Sequence, residues 1–339
     1  MTKMRIQRLT IGLLTSLFIL VGFAMPVGAQ AANANAAQGI QISPTLVELN
    51  AAKGGTYNIK LTVTNVTGSS LVYTTSVNDF NAAGETGSPR ILTDSNLPST
   101  VSIKTWINAV SSFTLDSHKS RVVEAQITVP NNAEPGGHYG VLSFHGTAPE
   151  LQSTGVGLSA SAGVLVLIRV GNPNEIVEKA NLASFYSSQN GNQSWFFENG
   201  PITFVTRIKN EGNIHLAPVG NIEVRDWFGN LVGNLTVNSD KSNVLPSSIR
   251  RFENSLKKDW MFGLYTVNLT MGYGTTGQAI TNTINFWVIP YRVILIGLLI
   301  LVLLVFILSR VMKVYNRHII EKAKNENKKN NNKQGKKKD

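Results

Sequence analysis

Residues 57–64 read Tyr57-Asn58-Ile59-Lys60-Leu61-Thr62-Val63-Thr64, and apolar and polar side chains alternate along the whole stretch. Successive side chains of a β-strand point to opposite faces, so this alternation is typical of a strand with one face on a core and the other in water. Residues 71–77 and 123–129 repeat the pattern. The chain is therefore predicted to fold mainly as β-sheet.

Turn-forming residues separate these strands at short intervals. After a break at Gly171-Asn172-Pro173-Asn174 a second series of strand candidates begins, at residues 180–186, 202–209, 222–225, 231–237, 265–273 and 280–288. Short strands with frequent turns favour antiparallel sandwiches. We expect two tandem immunoglobulin-like β-sandwiches, over residues 40–172 and 175–289, after a short linker at 32–39.

The two predicted sandwiches also resemble each other in sequence. Val63-Thr64-Asn65 and Ile208-Lys209-Asn210 each lead from a strand into a turn that begins with Asn. Gly137-His138-Tyr139 and Gly263-Leu264-Tyr265 each open an apolar strand. These matches favour two related structural units, and chance similarity between β modules is the alternative.

The formal net charge of +11 lies entirely at the two ends of the chain. Residues 1–10 carry three basic residues, and residues 310–339 carry eleven basic and three acidic ones. The region between them has as many acidic as basic residues, which leaves no basic face for binding phosphates. A nucleic-acid partner is not expected.

Both basic ends instead resemble membrane signals. The apolar run 9–23 between a basic start and Ala29-Gln30-Ala31 predicts a signal peptide over residues 1–31, with an uncleaved anchor as the alternative. Residues 293–308 are apolar apart from Gly297, the segment 290–310 is long enough for a transmembrane helix, and the Lys-rich segment 311–339 satisfies the positive-inside rule. Sortase anchoring is not expected, because an L-P-x-T-G motif is missing before Val293.

The complete prediction is an all-β ectodomain of two tandem immunoglobulin-like β-sandwiches plus one C-terminal transmembrane helix. The protein would be a single-pass type I protein of the cell membrane, with the ectodomain outside and a basic tail in the cytoplasm. Residues 321–339 are Lys and Asn with few apolar residues, so we expect them to be disordered. Trp287, Tyr291 and Arg310 are expected at the membrane interfaces.

Residues 40 to about 170 resemble the N-terminal domain of the WxL-interacting protein family of Gram-positive-type surface proteins. The resemblance rests on Ile42-Ser43-Pro44, on Val63-Thr64-Asn65, on residues 112–115 and chiefly on Pro135-Gly136-Gly137-His138-Tyr139-Gly140. It implies a membrane-anchored protein whose first domain binds peptidoglycan and whose partners include surface proteins, among them WxL-type proteins. Residues 175–289 match the family's host-binding domain poorly.

The residue types that catalysis requires do not form a recognisable pattern. The chain has no cysteine and five histidines, at positions 118, 138, 145, 215 and 318, outside any H-E-x-x-H motif. Asp116, Ser117 and His118 share one turn, so they cannot converge as a catalytic triad. We expect no enzyme activity, no metal site and no cofactor.

The candidate ligand contacts are His138, Tyr139, Trp227 and Trp260. His138 and Tyr139 belong to the block that carries the family resemblance. Trp227 and Trp260 belong to aromatic clusters at residues 195–197, 227–228 and 260–262. We expect one ring of each cluster in the core and one covering an end of the sandwich; the alternative is an exposed patch that stacks on sugars or contacts a protein.

The sequence therefore predicts a non-catalytic, membrane-anchored surface protein that tethers peptidoglycan, a surface protein partner, or both. A structural spacer or assembly subunit without a ligand is the alternative. An enzyme would require convergent polar groups that the sequence does not reveal. The oligomeric state is left open.

Overall fold

The computed structural model describes residues 39–335 except 94–96, 109 and 148–158. The predicted signal peptide at 1–31 and the linker at 32–38 lie outside the described residues, as does the end of the tail at 336–339. Within the described part, strands dominate up to Val288 and one α-helix follows. The predicted all-β class with a single C-terminal apolar helix is confirmed.

The described residues of the first half form nine strands in two sheets. The strands are β1 (Ile40–Ser43), β2 (Leu46–Ala51), β3 (Thr56–Asn65), β4 (Leu71–Ala83), β5 (Ser88–Leu92), β6 (Phe113–Leu115), β7 (Ser120–Thr128), β8 (Gly136–Thr147) and β9 (Ser159–Val170). One sheet has the order β1-β3-β7. The other has the order β2-β9-β8-β4-β5, with β6 also paired to β4 and β2 parallel to β9.

The alternation that predicts these strands is what fills the first core. On β3, Ile59, Leu61 and Val63 are buried while Asn58 and Lys60 are exposed. β7 contributes every second residue from Val123 in the same way. The fully buried Trp106 follows a short 3₁₀ turn at Ile103–Thr105 and completes this core.

The second half has its own core and a further nine strands. They are β10 (Ala180–Gln189), β11 (Asn192–Gln193), β12 (Phe196–Phe197), β13 (Ile202–Asn210), β14 (Val219–Asp226), β15 (Leu231–Val237), β16 (Ile249–Leu256), β17 (Gly263–Tyr273) and β18 (Gln278–Val288). They form sheets of order β11-β10-β13-β16 and β12-β18-β17-β14-β15. A 3₁₀ turn at Pro173–Glu175 joins this half to β9, at the predicted break.

The Asn residues of the sequence similarity occupy equivalent places in the two halves. Asn65 is the last residue of β3 and Asn210 the last of β13, and both are completely buried. Each accepts from the backbone N–H two residues on and donates to the carbonyl four residues on. Each also donates to a distant segment, at Leu115 O or Val244 O.

The C-terminal helix, α1, runs from Tyr291 to Gly335 and so passes the predicted end at residue 310. The sequence predicts a disordered tail because residues beyond 320 lack apolar periodicity. That segment nevertheless contains Lys, Glu, Gln and Ala, which have good helix propensity, and it has no Pro or Gly before Gly335. Nothing in the sequence therefore interrupts the helix before Gly335.

Candidate functional site

The two halves meet on the outer face of the sheet that contains β9. Alternate residues of β9 from Val164 onward enter the first core, so Leu165 and Leu167 point away from it. Phe80 of β4 shares this outer face. Leu167 and Phe80 are only 2% and 6% exposed, because the second half covers them instead of water.

A cleft of about 280 Å³ lies where this outer face meets residues 240–250 of the second half. The wall from the first half is mainly apolar, and its large side chains are Leu46, Phe80, Leu165 and Leu167. The opposite wall is mainly polar, with residues 240–243, Ser248 and Arg250, and its apolar side chains are Val244, Leu245 and Ile249. A concave, largely apolar site with a few polar groups is the usual form of a binding site.

Arg250 supplies the cleft with a partly buried cation. Its Nη1 donates to Asn243 O at 2.7 Å, and its guanidinium lies 5.7 Å from the centre of the Phe252 ring. Burial lowers the pKa of Arg250. A Cβ at Gly87 would come within 2.6 Å of this guanidinium, so only glycine allows so close an approach.

The strand β2 forms one border of the cleft. Among the described residues β2 pairs with β9 alone, so the backbone groups on its other side belong to a sheet edge. Leu46 at its start is 42% exposed and lines the cleft. The Asn243 side chain reaches the same strand and donates to Glu48 Oε1 at 2.6 Å. An extended peptide can add to such an edge through main-chain hydrogen bonds.

Polar contacts hold the two halves together around the cleft. Arg207 forms an ion pair with Glu85, and its Nε donates to Glu85 Oε2 at 2.7 Å. The hydrogen bond from Arg207 holds the pKa of Glu85 below its ordinary value. The backbone of Arg251 donates to Glu85 O at 2.8 Å, and Gly137 N donates to Asn213 O at 2.7 Å.

The predicted contacts His138 and Tyr139 lie on opposite faces of β8. His138 is 3% exposed in the first core, where its ring packs 4.4 Å from that of Trp106. Its Nδ1 lies 2.8 Å from Val101 O and its Nε2 lies 2.9 Å from Glu134 O, so both nitrogens face backbone carbonyls. These contacts tie two loops to β8, and a ligand role for His138 stays a prediction.

Tyr139 points to the second half. Its ring meets that of His215 edge to face at 5.7 Å, and its hydroxyl lies 3.4 Å from His215 Nδ1. Burial raises the pKa of Tyr139 and lowers the pKa of His215. The conspicuous Gly-His-Tyr block thus joins the first core to the boundary between the halves.

Besides Trp287, six exposed rings lie on the second half, and we call these six the aromatic rim: Trp195, Phe196, Trp227, Phe228, Trp260 and Phe262. Phe197 is buried as expected, whereas Trp227 and Phe228 are both exposed, at 57% and 77%. They lie in the turn after β14, where Asp226 Oδ1 accepts from the N–H of Phe228, so neither is on a strand that faces the core.

The cluster at 260–262 was also expected to place one ring in the core, and it places none there. Met261 is 5% exposed and takes the core position, which leaves Trp260 and Phe262 exposed at 75% and 55%. The rings of Trp227 and Phe262 are 6.2 Å apart at 88°, and those of Trp227 and Phe228 are 5.1 Å apart at 70°. Trp227, Phe228 and Phe262 therefore pack edge to face within the rim, and Trp195 packs on Phe196 in the same way.

The predicted membrane-interface residues lie on both sides of the start of α1. Trp287 is on β18 beside Phe196, Tyr291 is the first residue of α1, and both are partly exposed. Arg292 forms an ion pair with Glu198 at 3.4 Å. Arg310 follows the apolar segment, with its guanidinium 5.2 Å from the Phe306 ring centre.

A Ser-His-Ser arrangement lies on the outer face of β4, β8 and β9, and no sequence motif predicts it. His145 Nε2 is 2.9 Å from Ser76 Oγ, and His145 Nδ1 is 2.9 Å from Ser161 Oγ. A hydroxyl cannot stabilise an imidazolium as a triad carboxylate does. Within the described residues, groups of three or more potential metal ligands are also absent.

Sequence reasoning missed the cleft, although one signal for it is visible. Residues 164–168 read Val-Leu-Val-Leu-Ile, an unbroken apolar run rather than an alternating one. Such runs are typical of strands buried on both faces. Arg250 had no comparable signal, because its position depends on the approach of Gly87 from the other half.

No family model matches the chain, and no curated protein matches it. Among solved structures it is similar to the YadV chaperone, with 12% identity, a TM-score of 0.34 and coverage of 73% of this chain and 100% of that one. The chaperone DraB of E. coli gives 14% identity, a TM-score of 0.32 and coverage of 73% and 96%. The CupB2 chaperone of Pseudomonas aeruginosa gives 12%, 0.33, 73% and 100%. Scores this low do not transfer a function to this chain.

Proposed function

We propose that this protein is a non-catalytic, membrane-anchored binding protein. Its two halves act as immunoglobulin-like modules, and the cleft between them holds an extended segment of a partner protein. The observation that carries the proposal is the cleft itself, in which an apolar wall, the edge strand β2 and Arg250 converge. Apolar side chains of the partner would fill the cleft while its main chain pairs with β2.

The anchor in this proposal is α1. Its large apolar side chains from Val293 to Leu308 are all about half exposed, and they pack against neither β core. A soluble protein rarely leaves so large an apolar surface in water. The 19 residues from Tyr291 to Ser309 extend about 28 Å as a helix, close to the thickness of a bilayer core. The basic residues beyond Arg310 favour a cytoplasmic C-terminus.

Membership of the WxL-interacting family is part of the same proposal and rests on the block at residues 135–140. Binding of peptidoglycan, and of WxL-type proteins in particular, follows from that resemblance alone. The geometry of the cleft supports a polypeptide ligand, since it offers a strand edge and apolar walls. A glycan and a protein partner are therefore separate outcomes of one experiment.

The experiment is site-specific photocrosslinking of the full-length protein on intact cells. A photoreactive residue replaces Leu46 or Asn243 at the cleft, and the control replaces Val122, which is 60% exposed on β7. We expect the same protein adduct from both cleft positions and none from position 122. We also expect Leu46→Glu to abolish capture at position 243, and Val122→Glu to leave it intact.

Other outcomes separate the alternatives. Adducts with glycan at the cleft positions would show that the ligand of the cleft is peptidoglycan and not a protein. The absence of adducts at every position would favour a structural spacer. Equal adducts at the cleft and at position 122 would show that contact with the partner is not specific to the cleft, which would overturn the proposal.

A further inference from the structure

The aromatic rim lies at the end of the second half from which α1 emerges. β18 ends at Val288, which pairs with Gly263, so the start of β17 is at that end. Tyr265 pairs with Asp226, which brings the turn at Trp227 and Phe228 to the same end. The short strand β12 runs parallel to β18 and places Phe196 beside Trp287. Three segments that are distant in sequence thus place their rings at the end of the second half from which α1 emerges.

The connection between this end and α1 is short and tied down. Only Ile289 and Pro290 separate β18 from α1, a link that spans at most about 7 Å. Ile289 N donates to Phe197 O at 2.9 Å, and the ion pair of Arg292 with Glu198 holds the first turn of the helix to β12. If α1 spans a bilayer, the rim cannot stand far from the lipid surface.

The chemistry of the rim matches the interfacial layer of a membrane. Tryptophan and tyrosine concentrate at this layer, where the ring is sheltered and its polar group stays hydrated. Lys257 and Lys258 precede Trp260 and are exposed, so two cations lie beside the rings, followed by Asp259. Such cations suit the phosphates of lipid head groups.

The arrangement suits lipid better than sugar. Stacking on a sugar requires an open, flat ring face, whereas Trp227 meets Phe262 at 88° and Phe228 at 70°, so neighbouring rings cover part of its surface. The Trp227 ring also lies over Gly263, 3.5 Å from where a Cβ would stand. Lipid acyl chains and head groups have no fixed shape, so a cluster of rings in different orientations can insert among them.

We propose that the aromatic rim is a lipid-binding surface that inserts into the outer leaflet of the membrane that α1 crosses, so that the second half sits directly on the bilayer. This inference rests on the membrane anchor of the proposed function. It is independent of what the cleft binds. The rim fixes the cleft at a set height and orientation above the lipid, which a single flexible anchor would not do.

The test uses the full-length chain in nanodiscs of phosphatidylcholine and phosphatidylglycerol. Because the chain has no cysteine, single nitroxide labels can be placed by Phe228→Cys, Trp260→Cys, Thr276→Cys and Leu301→Cys. Thr276 is the matched control, since it is exposed in the turn between β17 and β18 at the opposite end of the same sheet. Leu301 lies in the middle of the apolar part of α1 and reports the anchor.

Power saturation compares collisions of each label with lipid-soluble oxygen and with a water-soluble nickel chelate. We expect labels at 228 and 260 to collide with nickel about tenfold less often than the label at 276, because the polar chelate is largely excluded from an apolar medium. The label at 301 should be shielded at least as well. Each labelled chain must retain the β circular dichroism of the unlabelled protein.

Each contrary result has a distinct meaning. Nickel access at 228 and 260 equal to that at 276, with 301 shielded, would overturn the lipid-binding surface and leave the anchor in place. Nickel access at 301 would overturn the anchor itself. Shielding at 228 and 260 that requires added peptidoglycan fragments would assign the rim to glycan instead of lipid.

Discussion

Asn65 is a buried polar residue, and we expect its substitution to lower the stability of the first half strongly. Its Nδ2 donates to Ser69 O at 2.7 Å, to Leu115 O at 3.1 Å and to Asp116 O at 3.2 Å. Its Oδ1 accepts from the backbone N–H of Thr67 at 3.0 Å and from the Thr67 hydroxyl at 2.6 Å. Asn65→Ala removes all of these side-chain bonds at once, and the loops after β3 and β6 keep only other contacts, such as the bond from the Ser117 hydroxyl to Thr67 O.

The magnitude follows from the number and burial of the bonds. Each such bond is worth about 0.5–1.5 kcal/mol net. Two amide hydrogens cannot fully satisfy three carbonyls, and most of the bonds are only partly buried, so water replaces some of the loss. We expect the free energy of unfolding to fall by about 3 kcal/mol. Asn58→Ala, at an exposed position of the same strand, should change it by less than about 0.5 kcal/mol.

The assay is urea denaturation of the full-length protein in detergent, followed by tryptophan fluorescence. Trp106 is fully buried in the first core, whereas the other tryptophans, at 195, 227, 260 and 287, are 38–75% exposed. The spectral shift on unfolding therefore reports mainly on the first half. An Asn65→Ala variant that unfolds at the same urea concentration as Asn58→Ala would refute the reasoning.

Three further changes test other contacts. Glu85→Gln removes the carboxylate that Arg207 holds, and should lower the free energy of unfolding by about 0.5–1 kcal/mol at neutral pH. Because the folded-state pKa of Glu85 lies below its ordinary value of 4.5, the difference from wild type in urea midpoint should persist above pH 4.5 and disappear as the pH falls through the lower folded-state pKa. Tyr73→Phe removes a buried hydroxyl that has no partner among the described residues, and should raise the free energy of unfolding by about 1 kcal/mol, read from the same denaturation curves. Gly140→Ala would place a Cβ against the Ile103 side chain, closer than real Cβ contacts come, and should lower the free energy of unfolding by about 1–3 kcal/mol in calorimetry. An unchanged melting temperature would contradict the packing described for β8.

Much of the secondary structure could be predicted because it depends on local pattern. Tyr57 to Val63 alternates, and the strand follows with its apolar residues in the core. β16 was harder to predict, since Ile249 to Leu256 is mostly polar and its strand depends on pairing with β13. The helix beyond Arg310 could not be predicted from apolar periodicity. Such periodicity indicates a helix that packs on a core, and the sequence beyond residue 320 has none.

The candidate site was predicted only in part. Trp227 and Trp260 were singled out as unusual aromatic positions, and both are strongly exposed. His138 was singled out for the block that surrounds it, yet both of its ring nitrogens face backbone carbonyls within the first half. Residue type reveals that a position is special, but not whether the reason is packing, an interface or a ligand.

Alternation, turn residues and the placement of charge are local properties, and they were enough to specify a β region followed by one exposed apolar helix. The cleft and the aromatic rim are not local. They depend on which strands pair, since Phe196, Trp227 and Phe262 come together through the register of β12, β14 and β17 with β18 and its neighbours. The register between distant strands depends on how the whole core packs, so the local pattern of one segment does not determine it.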